Sequence, residues 1–234
     1  MCKILYFQTL DSTQTYLKSH VTDLDDKTVV VTDTQTAGRG RFTRHWFSEP
    51  GGLYFSILLK PAKTDFIANL TQLMALSICQ AAEKHALTSN IKWPNDVQVN
   101  GKKLCGILSE AVTQNGAVAG VIVGAGINVA QADLSHVGQP AVSLRELGVC
   151  VDKNDFLQEV LALFFQGYPA VVADGFAAIC AAYRERFPFI GKQIAVKNEA
   201  SAISGIAENI SASGTLLLRT PQGVQEILIG DLLV

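Results

Sequence analysis

Charge is scarce in this chain, and no long apolar run stands in for it. Asp, Glu, Lys and Arg make up 17% of the 234 residues, below the quarter usual in globular chains, which with ample apolar content excludes a disordered protein. Nineteen basic and 21 acidic residues leave a formal charge of −2 and a pI near 6.1. General nucleic-acid binders carry a basic face, so DNA is not an expected partner. No stretch approaches the roughly 18 consecutive apolar residues of a membrane span. The N-terminus lacks an apolar segment with a small-residue cleavage site, so a cytoplasmic protein without a membrane partner is expected. Cys2, Cys79, Cys105, Cys150 and Cys180 are odd in number, form no Cys-x-x-Cys and have no histidine at metal-ligand spacing. Free thiols and no zinc follow. A Walker A sequence is missing, and neither GAGINV (124–129) nor GRGRFT (38–43) completes a dinucleotide fingerprint, so neither flavin nor nicotinamide is expected.

What is present suffices for a core. Hydrophobic residues reach 48% and mean hydropathy is +0.24, in a chain long enough for one large domain with a small appendage. Residues 3–8 form a short apolar run, and Asp11 and Ser12 offer an N-cap to a brief helix, TQTYLKSH. TVVVTDT (28–34) and GLYFSILLK (52–60) read as strands, and 66–86 carries apolar residues at helical spacing. Three β runs follow, IKWPNDVQV, KKLCGILSEAV and 117–129, joined at Asn100-Gly101 and Asn115-Gly116, dipeptides that favour tight hairpins. Helices are expected over 155–168 and 174–187. From Pro188 the helical period ends. Four short β runs (QIAVK, ISGIAENI, TLLLRT, VQEILIG) are separated by Gly, Ser and Asn, the pattern of a small β-barrel. The fold class is α+β: a mixed, largely antiparallel sheet flanked by helices over 1–187, and a small barrel over 188–234.

Two clusters carry chemistry. TQTAGRGRFTRHW (34–46) sets Arg39, Arg41 and Arg44 beside Gly38 and Gly40, with no acid among them. Glycines let backbone approach an anion closely, guanidinium forks match phosphate or carboxylate oxygens, and Trp46 offers a face on which a purine stacks. A pair of arginines would read as a solvated loop; three, with two glycines and a tryptophan, point to an anion site. KWPNDVQVNGKKLCGIL (92–108) places Asn95 and Asp96 after a Trp-Pro corner and Lys103 across the hairpin. The residues alone leave two readings even. One is a surface Lys–Asp pair worth ~0–1 kcal/mol; the other is a lysine aimed into a pocket, with Gly106 leaving room for a flat ligand. Cys105 lies in an apolar run without a nearby histidine and reads as a packed thiol.

Together these segments resemble the biotin protein ligases. The matching stretches are DST (11–13), Q-x-x-GRGR-x-x-R-x-W (35–46), KWPND (92–96), KLCGIL (103–108) and GAGIN (124–128), in that family's order over essentially the whole chain. The resemblance implies a class II synthetase-like catalytic domain followed by an SH3-like barrel. It implies ATP-dependent attachment of biotin, through biotinyl-5′-AMP, to a lysine of the biotin carboxyl carrier domain of acetyl-CoA carboxylase or a related carboxylase. ATP would enter with Mg²⁺, and the protein would supply no metal ligands of its own. By the same resemblance Ser12, Thr13 and Gln35 hydrogen-bond the ureido head of biotin, while Gly38, Arg39, Gly40 and Arg41 close over biotin and the adenylate. Arg41 and Arg44 meet ATP phosphates, and Trp46, Asn95 and Asn128 bound the adenine and phosphate region. Gly106, Gly124 and Gly126 floor the bicyclic ring. Lys103, near the biotin carboxylate and α-phosphate, Arg41, and Asp96, beside the point of attack, are the expected catalytic residues.

The chain departs from that family's pattern at Phe42 and Thr43, where many members have arginine and glycine. That implies a stiffer, less cationic loop that holds the intermediate less tightly. No DNA-binding helix-turn-helix precedes the catalytic motifs, so the chain resembles the monofunctional class; a homodimer through the sheet stays open. The arginines are expected to reach the cavity only when substrates bind, so that no unbalanced cationic cage persists. Two rivals stand beside this reading. One is a lipoate or octanoate ligase or transferase of the same fold, whose loops lack GRGR-x-x-R-x-W. The other is an RNA-binding barrel, disfavoured by the pI and by the lack of interleaved aromatics.

Overall fold

A β-branched run, TVVVTDT, and an apolar run broken at Ser56, LYFSILL, set the centre of the molecule. The computed structural model describes residues 2–42, 44–198 and 202–233, so Thr43 and the departure assigned to it lie outside the described residues. Strand β1 (Lys3–Leu10), helix α1 (Thr13–Ser19) and strand β2 (Thr28–Gln35) form a parallel pair with a short crossover. They are followed by β3 (Leu53–Leu59), α2 (Ile67–Lys84), β4 (Asn90–Lys92), β5 (Asp96–Val99), β6 (Lys102–Gln114) and β7 (Ala117–Ile127). The strands order β1-β2-β3-β7-β6-β5-β4, antiparallel after the first pair. Every residue of β3 is buried because both sheet faces are covered. Leu53, Phe55, Ile57 and Leu59 join the core under α2, whereas Leu58 packs with Leu17, Val21 and Ile122 beneath α1. Asn100 and Gly101 (φ 51° and 77°) and Asn115 and Gly116 (φ 50° and 78°) adopt the left-handed conformations that two-residue hairpins require.

Several local expectations change. IKWPNDVQV is not one strand: β4 and β5 pair with each other around a turn at 93–95, where Pro94 has no N–H to give a ladder. Ser12 holds the N-cap position of α1, yet its side chain caps nothing and is buried. The run 174–187 divides, because Gly175 (φ 60°) ends helix α3 (Lys153–Asp174). A 3₁₀ turn over Gly175–Ala178 then leads to α4 (Cys180–Glu185). Finally, α3 with its following turn is long and apolar enough by length and composition to cross a membrane, although no stretch was expected to approach that. Its Phe156, Leu157, Val160, Phe164 and Val171 are buried in the main core and it packs on α2, the arrangement of a core helix.

The C-terminal sheet has five antiparallel strands: β8 (Gln193–Lys197), β9 (Ala202–Ile210), β10 (Leu216–Thr220), β11 (Gly223–Ile227) and β12 (Asp231–Leu233), ordered β11-β10-β9-β8-β12. The run VQEILIG therefore ends early, and the chain crosses to pair β12 with β8. Ile194, Val196, Ile210, Leu218 and Leu232 share one apolar core with Tyr183 and Phe187. The β9–β10 turn docks on α2, with Asn69 Nδ2 donating to Ser213 O (2.9 Å) and Gln72 Nε2 to Gly214 O (2.6 Å). The fold is thus α+β, with a mixed, largely antiparallel sheet flanked by helices and a second, antiparallel sheet at the C-terminus. That second sheet brings its edge strand β12 to the mouth of the first.

Candidate active site

A cavity of about 600 Å³ opens where β3, β6 and β7 run side by side. One wall is a polar chain between distant elements. Thr13 N donates to Gln35 Oε1 (2.9 Å), and the Thr13 hydroxyl donates to the same oxygen (3.3 Å) and shares a hydrogen bond with Ser56 Oγ (2.8 Å). Gln35 Nε2 donates to Ser48 Oγ (2.7 Å), which donates to Trp46 O (3.1 Å). Buried Gln14 donates Nε2 to Leu108 O (2.7 Å), while its Oε1 has no partner. Gln14, Ser48 and Ser56 were missed in the sequence because isolated amides and hydroxyls carry no spacing signal.

The three expected floor glycines are not open floor. A Cβ on Gly106 would lie 2.7 Å from Trp46 Cζ3, one on Gly126 would meet the Trp46 indole closer still, and one on Gly124 would lie 2.5 Å from Gln14 Nε2. Gly106 and Gly126 are register partners on β6 and β7, so their missing side chains jointly seat the indole. Trp46, expected at the adenine and phosphate region, is thus held against the sheet, with its Nε1 buried and unpartnered. Gly126→Ala is expected to expel the indole and to weaken ligand binding by tenfold or more, with an unchanged far-ultraviolet spectrum; titration calorimetry checks it. Two expected site residues do not line the cavity. Gly38 lacks a Cβ because Trp46 O and Ser48 Oγ occupy that space. Asn128 is buried behind Lys103, donating Nδ2 to Lys103 O (3.2 Å) and accepting from Gln131 Nε2 (3.1 Å). Ser12, Thr13, Gln35, Arg39, Gly40, Arg41, Arg44, Trp46, Asn95, Asp96, Lys103, Gly106, Gly124 and Gly126 do line it, together with the unexpected 137–139.

All three arginines are already at the cavity, each balanced by a carboxylate from another element, so their arrival with substrate is not needed to avoid a bare cationic cage. Arg39 forks onto Glu110 of β6 (3.0 and 3.1 Å). Arg44 forks onto Asp231 of β12, with Nη1 at 3.1 Å from Oδ1. Arg41 is more buried: Nη1 donates to Asn95 Oδ1 (3.0 Å) and Gly230 O (3.1 Å) and lies 3.6 Å from Asp231 Oδ1, while Nη2 has no partner. Both guanidinium groups also lie against the Phe42 ring, at 5.1 and 5.8 Å from its centroid, a cation–π arrangement. Phe42 therefore orders the arginines instead of only stiffening the loop. Lys103 Nζ sits 2.9 Å from Asp96 Oδ1 and 5.2 Å from the Trp46 ring centroid. The ion pair and the pocket-facing lysine, read as alternatives in the sequence, are one arrangement. Glu110, Gly230 and Asp231 were invisible there because their partners are 71 to 189 positions away.

Burial lowers the Arg41 pKa against the opposing pull of Asp231 and Asp96, although a guanidinium remains charged. The Asp231 hydrogen bond raises that of Arg44. For Asp231, burial pulls upward, but the Arg44 hydrogen bond and the charges of Arg44, Arg41 and Lys103 leave its carboxyl below the usual range. Cys105 is fully buried, which pushes its thiol well above the ordinary value. Iodoacetamide is accordingly expected to label exposed Cys150 and spare Cys105 in the native protein, read by peptide mass. Among the described residues no three His, Cys, Asp or Glu side chains gather as a metal site.

Residues 6–128 match the biotin/lipoate A/B protein ligase family, and 189–231 match the biotin protein ligase C-terminal domain. The chain is 34% identical to the bifunctional ligase/repressor BirA of Bacillus subtilis, over 98% of this chain and 73% of that protein. It is 35% identical to a biotin–[acetyl-CoA-carboxylase] ligase of Paracoccus denitrificans, over 93% and 94% of the two chains. Among solved structures, a biotin protein ligase from Aquifex aeolicus in complex with biotin and ATP superposes with a TM-score of 0.89 at 31% identity, covering 99% of this chain and 98% of that one. With both of its sheets accounted for by these matches, the chain belongs to the biotin/lipoate A/B protein ligase family, among the biotin protein ligases.

Proposed function

We propose that the chain attaches biotin to a lysine of a biotin carboxyl carrier domain in two steps. The biotin carboxylate attacks the α-phosphorus of ATP, pyrophosphate leaves, and biotinyl-5′-AMP forms. The carrier's neutral lysine amine then attacks the acyl carbon and AMP leaves. The observation that carries this reading is the convergence of Arg41, Arg44 and Lys103 on one cavity, with Arg41 Nη2 buried and unpartnered.

The first step sets a carboxylate against a triphosphate. Each like-charge pair at 4 Å costs ~4 kcal/mol at an effective dielectric of 20. Lys103, Arg41 and Arg44 offset that cost, and their present carboxylate partners give way to phosphate oxygens, so the cations are never left bare. Lys103 serves the biotin carboxylate and α-phosphate; Arg41, with its free Nη2, and Arg44 serve the phosphates; Asn95 orients Arg41. Asp96, freed from Lys103, orients the incoming amine. Trp46 roofs the ring-binding end, and Thr13, Gln35 and Ser12 line its polar wall. Mg²⁺ would enter with ATP and supply further positive charge against the triphosphate and the leaving pyrophosphate. Arg39 and Gly40 close the segment over the intermediate and keep water from the anhydride.

We take 1–187 as the catalytic unit and 188–234 as the barrel, which contributes Asp231 to the cavity. The protein's place is the cytoplasm, where its substrates are, and its partners are biotin, ATP and the carrier domain, without DNA. A homodimer through the edge of β1 is supported by that strand's position at the sheet's end and by exposed Tyr6. The test is to incubate the protein with MgATP, an apo carrier domain and either biotin or lipoate, and weigh the carrier. A biotin-sized increment with biotin and none with lipoate is expected. An increment with lipoate alone would overturn the reading.

A further inference from the structure

We propose that Gln131 is a positioning residue for adenylate formation, its amide NH₂ fixing Lys103 relative to the base of the arginine segment; this rests on the ligase reading above. Gln131 is buried in the corner after β7. Its Nε2 donates to Asn128 Oδ1 (3.1 Å) and to Tyr54 Oη (3.2 Å). Asn128 Nδ2 continues one arm to Lys103 O (3.2 Å), and the Tyr54 hydroxyl continues the other to Glu49 O (2.7 Å). Both ends of this chain are carbonyls, which only accept. A chain strung between two acceptors needs one member that donates in both directions, and an amide NH₂ does so. Gln131 is that member.

Neither amide can turn. A flipped Asn128 would set Oδ1 against Lys103 O, and a flipped Gln131 would set Oε1 against Asn128 Oδ1. Burial raises the Tyr54 pKa, so its hydroxyl keeps the proton it gives to Glu49 O. The turn before β3 is shaped for this junction. A Cβ on Gly52 would collide with Tyr54 Oη and lie 2.7 Å from Gln131 Nε2, and Gly51 (φ 96°) offers its carbonyl to Ala130 N (2.8 Å). Glu49 follows Ser48, which closes the arginine segment on Gln35. The chain therefore spans from the backbone of the catalytic lysine to the anchor of the segment that carries Arg39, Arg41 and Arg44. Lys103 keeps its backbone bonds to Pro140 O and Val142 N without it. Cutting the chain is thus expected to lower adenylate formation about tenfold, less than the ~10²–10³ of removing the lysine itself.

The test is a double-mutant cycle read by biotin-dependent ATP–pyrophosphate exchange. Gln131→Met, which keeps the length but not the donors, is made in wild type and in Lys103→Ala. In wild type kcat is expected to fall about tenfold while the KM for biotin stays within about threefold. With Lys103 already gone there is no lysine left to place, and the same change is expected to cost less than about threefold. Gln131→Glu has the same shape but, as a carboxylate, only accepts, so it is expected to do no better than Gln131→Met. Equal losses in the two backgrounds, or none in wild type, would overturn the assignment and mark Gln131 as a packing residue. Wild-type activity in Gln131→Glu would overturn it as well. Should Gln131→Met fail to fold, Tyr54→Phe, which cuts the other arm, decides. A loss of about threefold to tenfold with Lys103 present and none without it is expected, and equal effects in both backgrounds overturn the inference. Failure of wild type to release pyrophosphate with biotin would instead overturn the ligase reading.

Discussion

Lys103→Ala is expected to lose biotinyl-adenylate formation by ~10²–10³-fold, the equivalent of ~3–4 kcal/mol of transition-state stabilisation. Biotin-dependent ATP–pyrophosphate exchange measures it. The fold should survive, because what holds residue 103 in place is backbone. Its N–H donates to Pro140 O (2.9 Å), and its carbonyl accepts from Val142 N (3.0 Å) and Asn128 Nδ2 (3.2 Å). The loss is doubled in sense, since the variant removes a cation and leaves Asp96 facing the incoming anions without a partner. Lys103→Arg is expected to recover little, because a planar fork cannot take the place of a compact ammonium between Asp96 and the Trp46 ring. Normal pyrophosphate release by Lys103→Ala would remove the lysine from the mechanism.

Asp231→Ala is expected to release the arginine segment from the C-terminal sheet. Arg44 would lose its carboxylate, while Arg41 would keep Asn95 and Gly230 O. Hydrogen bonds to charged groups contribute ~1.5–3 kcal/mol, so opening should become easier by about tenfold to a hundredfold. Trypsin cleavage after Arg39, Arg41 or Arg44 reads this directly, and the KM for ATP should rise in parallel because open loops meet phosphate less often. The pH dependence has a definite sign. The folded carboxyl of Asp231 titrates below its ordinary value, so its contribution is full above the unfolded carboxyl pKa of about 3.9 and is lost as pH falls through the lower folded value. Hydrogen exchange at Gly40 and Trp46, whose amides close the segment on Arg44 O and Gly38 O, should therefore differ between wild type and variant by a constant factor from pH 5 to 9. Cleavage and exchange unchanged by the substitution would show that Asp231 holds nothing.

Whatever rests on local pattern was legible in the sequence. Asn100-Gly101 places the hairpin that brings Lys103 of β6 within ion-pair reach of Asp96 on β5, Asn115-Gly116 places the next hairpin, and the apolar period of 66–86 places α2. Contacts that close over long chain separations were not legible. Asp231 reaches Arg44 from a three-residue strand hidden behind the run VQEILIG, and Glu110 reaches Arg39 from a β6 position that reads only as an exposed polar residue. Glycines misled in one direction. At 106, 124 and 126 the missing side chain signals a close approach, but what approaches is Trp46 or Gln14 from the same chain. Asn128 and Gly38 share the motifs of the site yet act behind it, one supporting the Lys103 carbonyl and the other seating the Trp46 backbone.

The central claim is that one cavity, closed by Arg39, Arg41 and Arg44 and facing Lys103, makes and shelters a vitamin–nucleotide anhydride. Native mass spectrometry of the protein after incubation with biotin and MgATP, desalted and without carrier, tests it most directly. A species heavier by one biotinyl-adenylate, lost in Lys103→Ala and discharged by apo carrier, is the expected result. A protein that carries biotin and ATP separately, with no pyrophosphate released, would contradict the account.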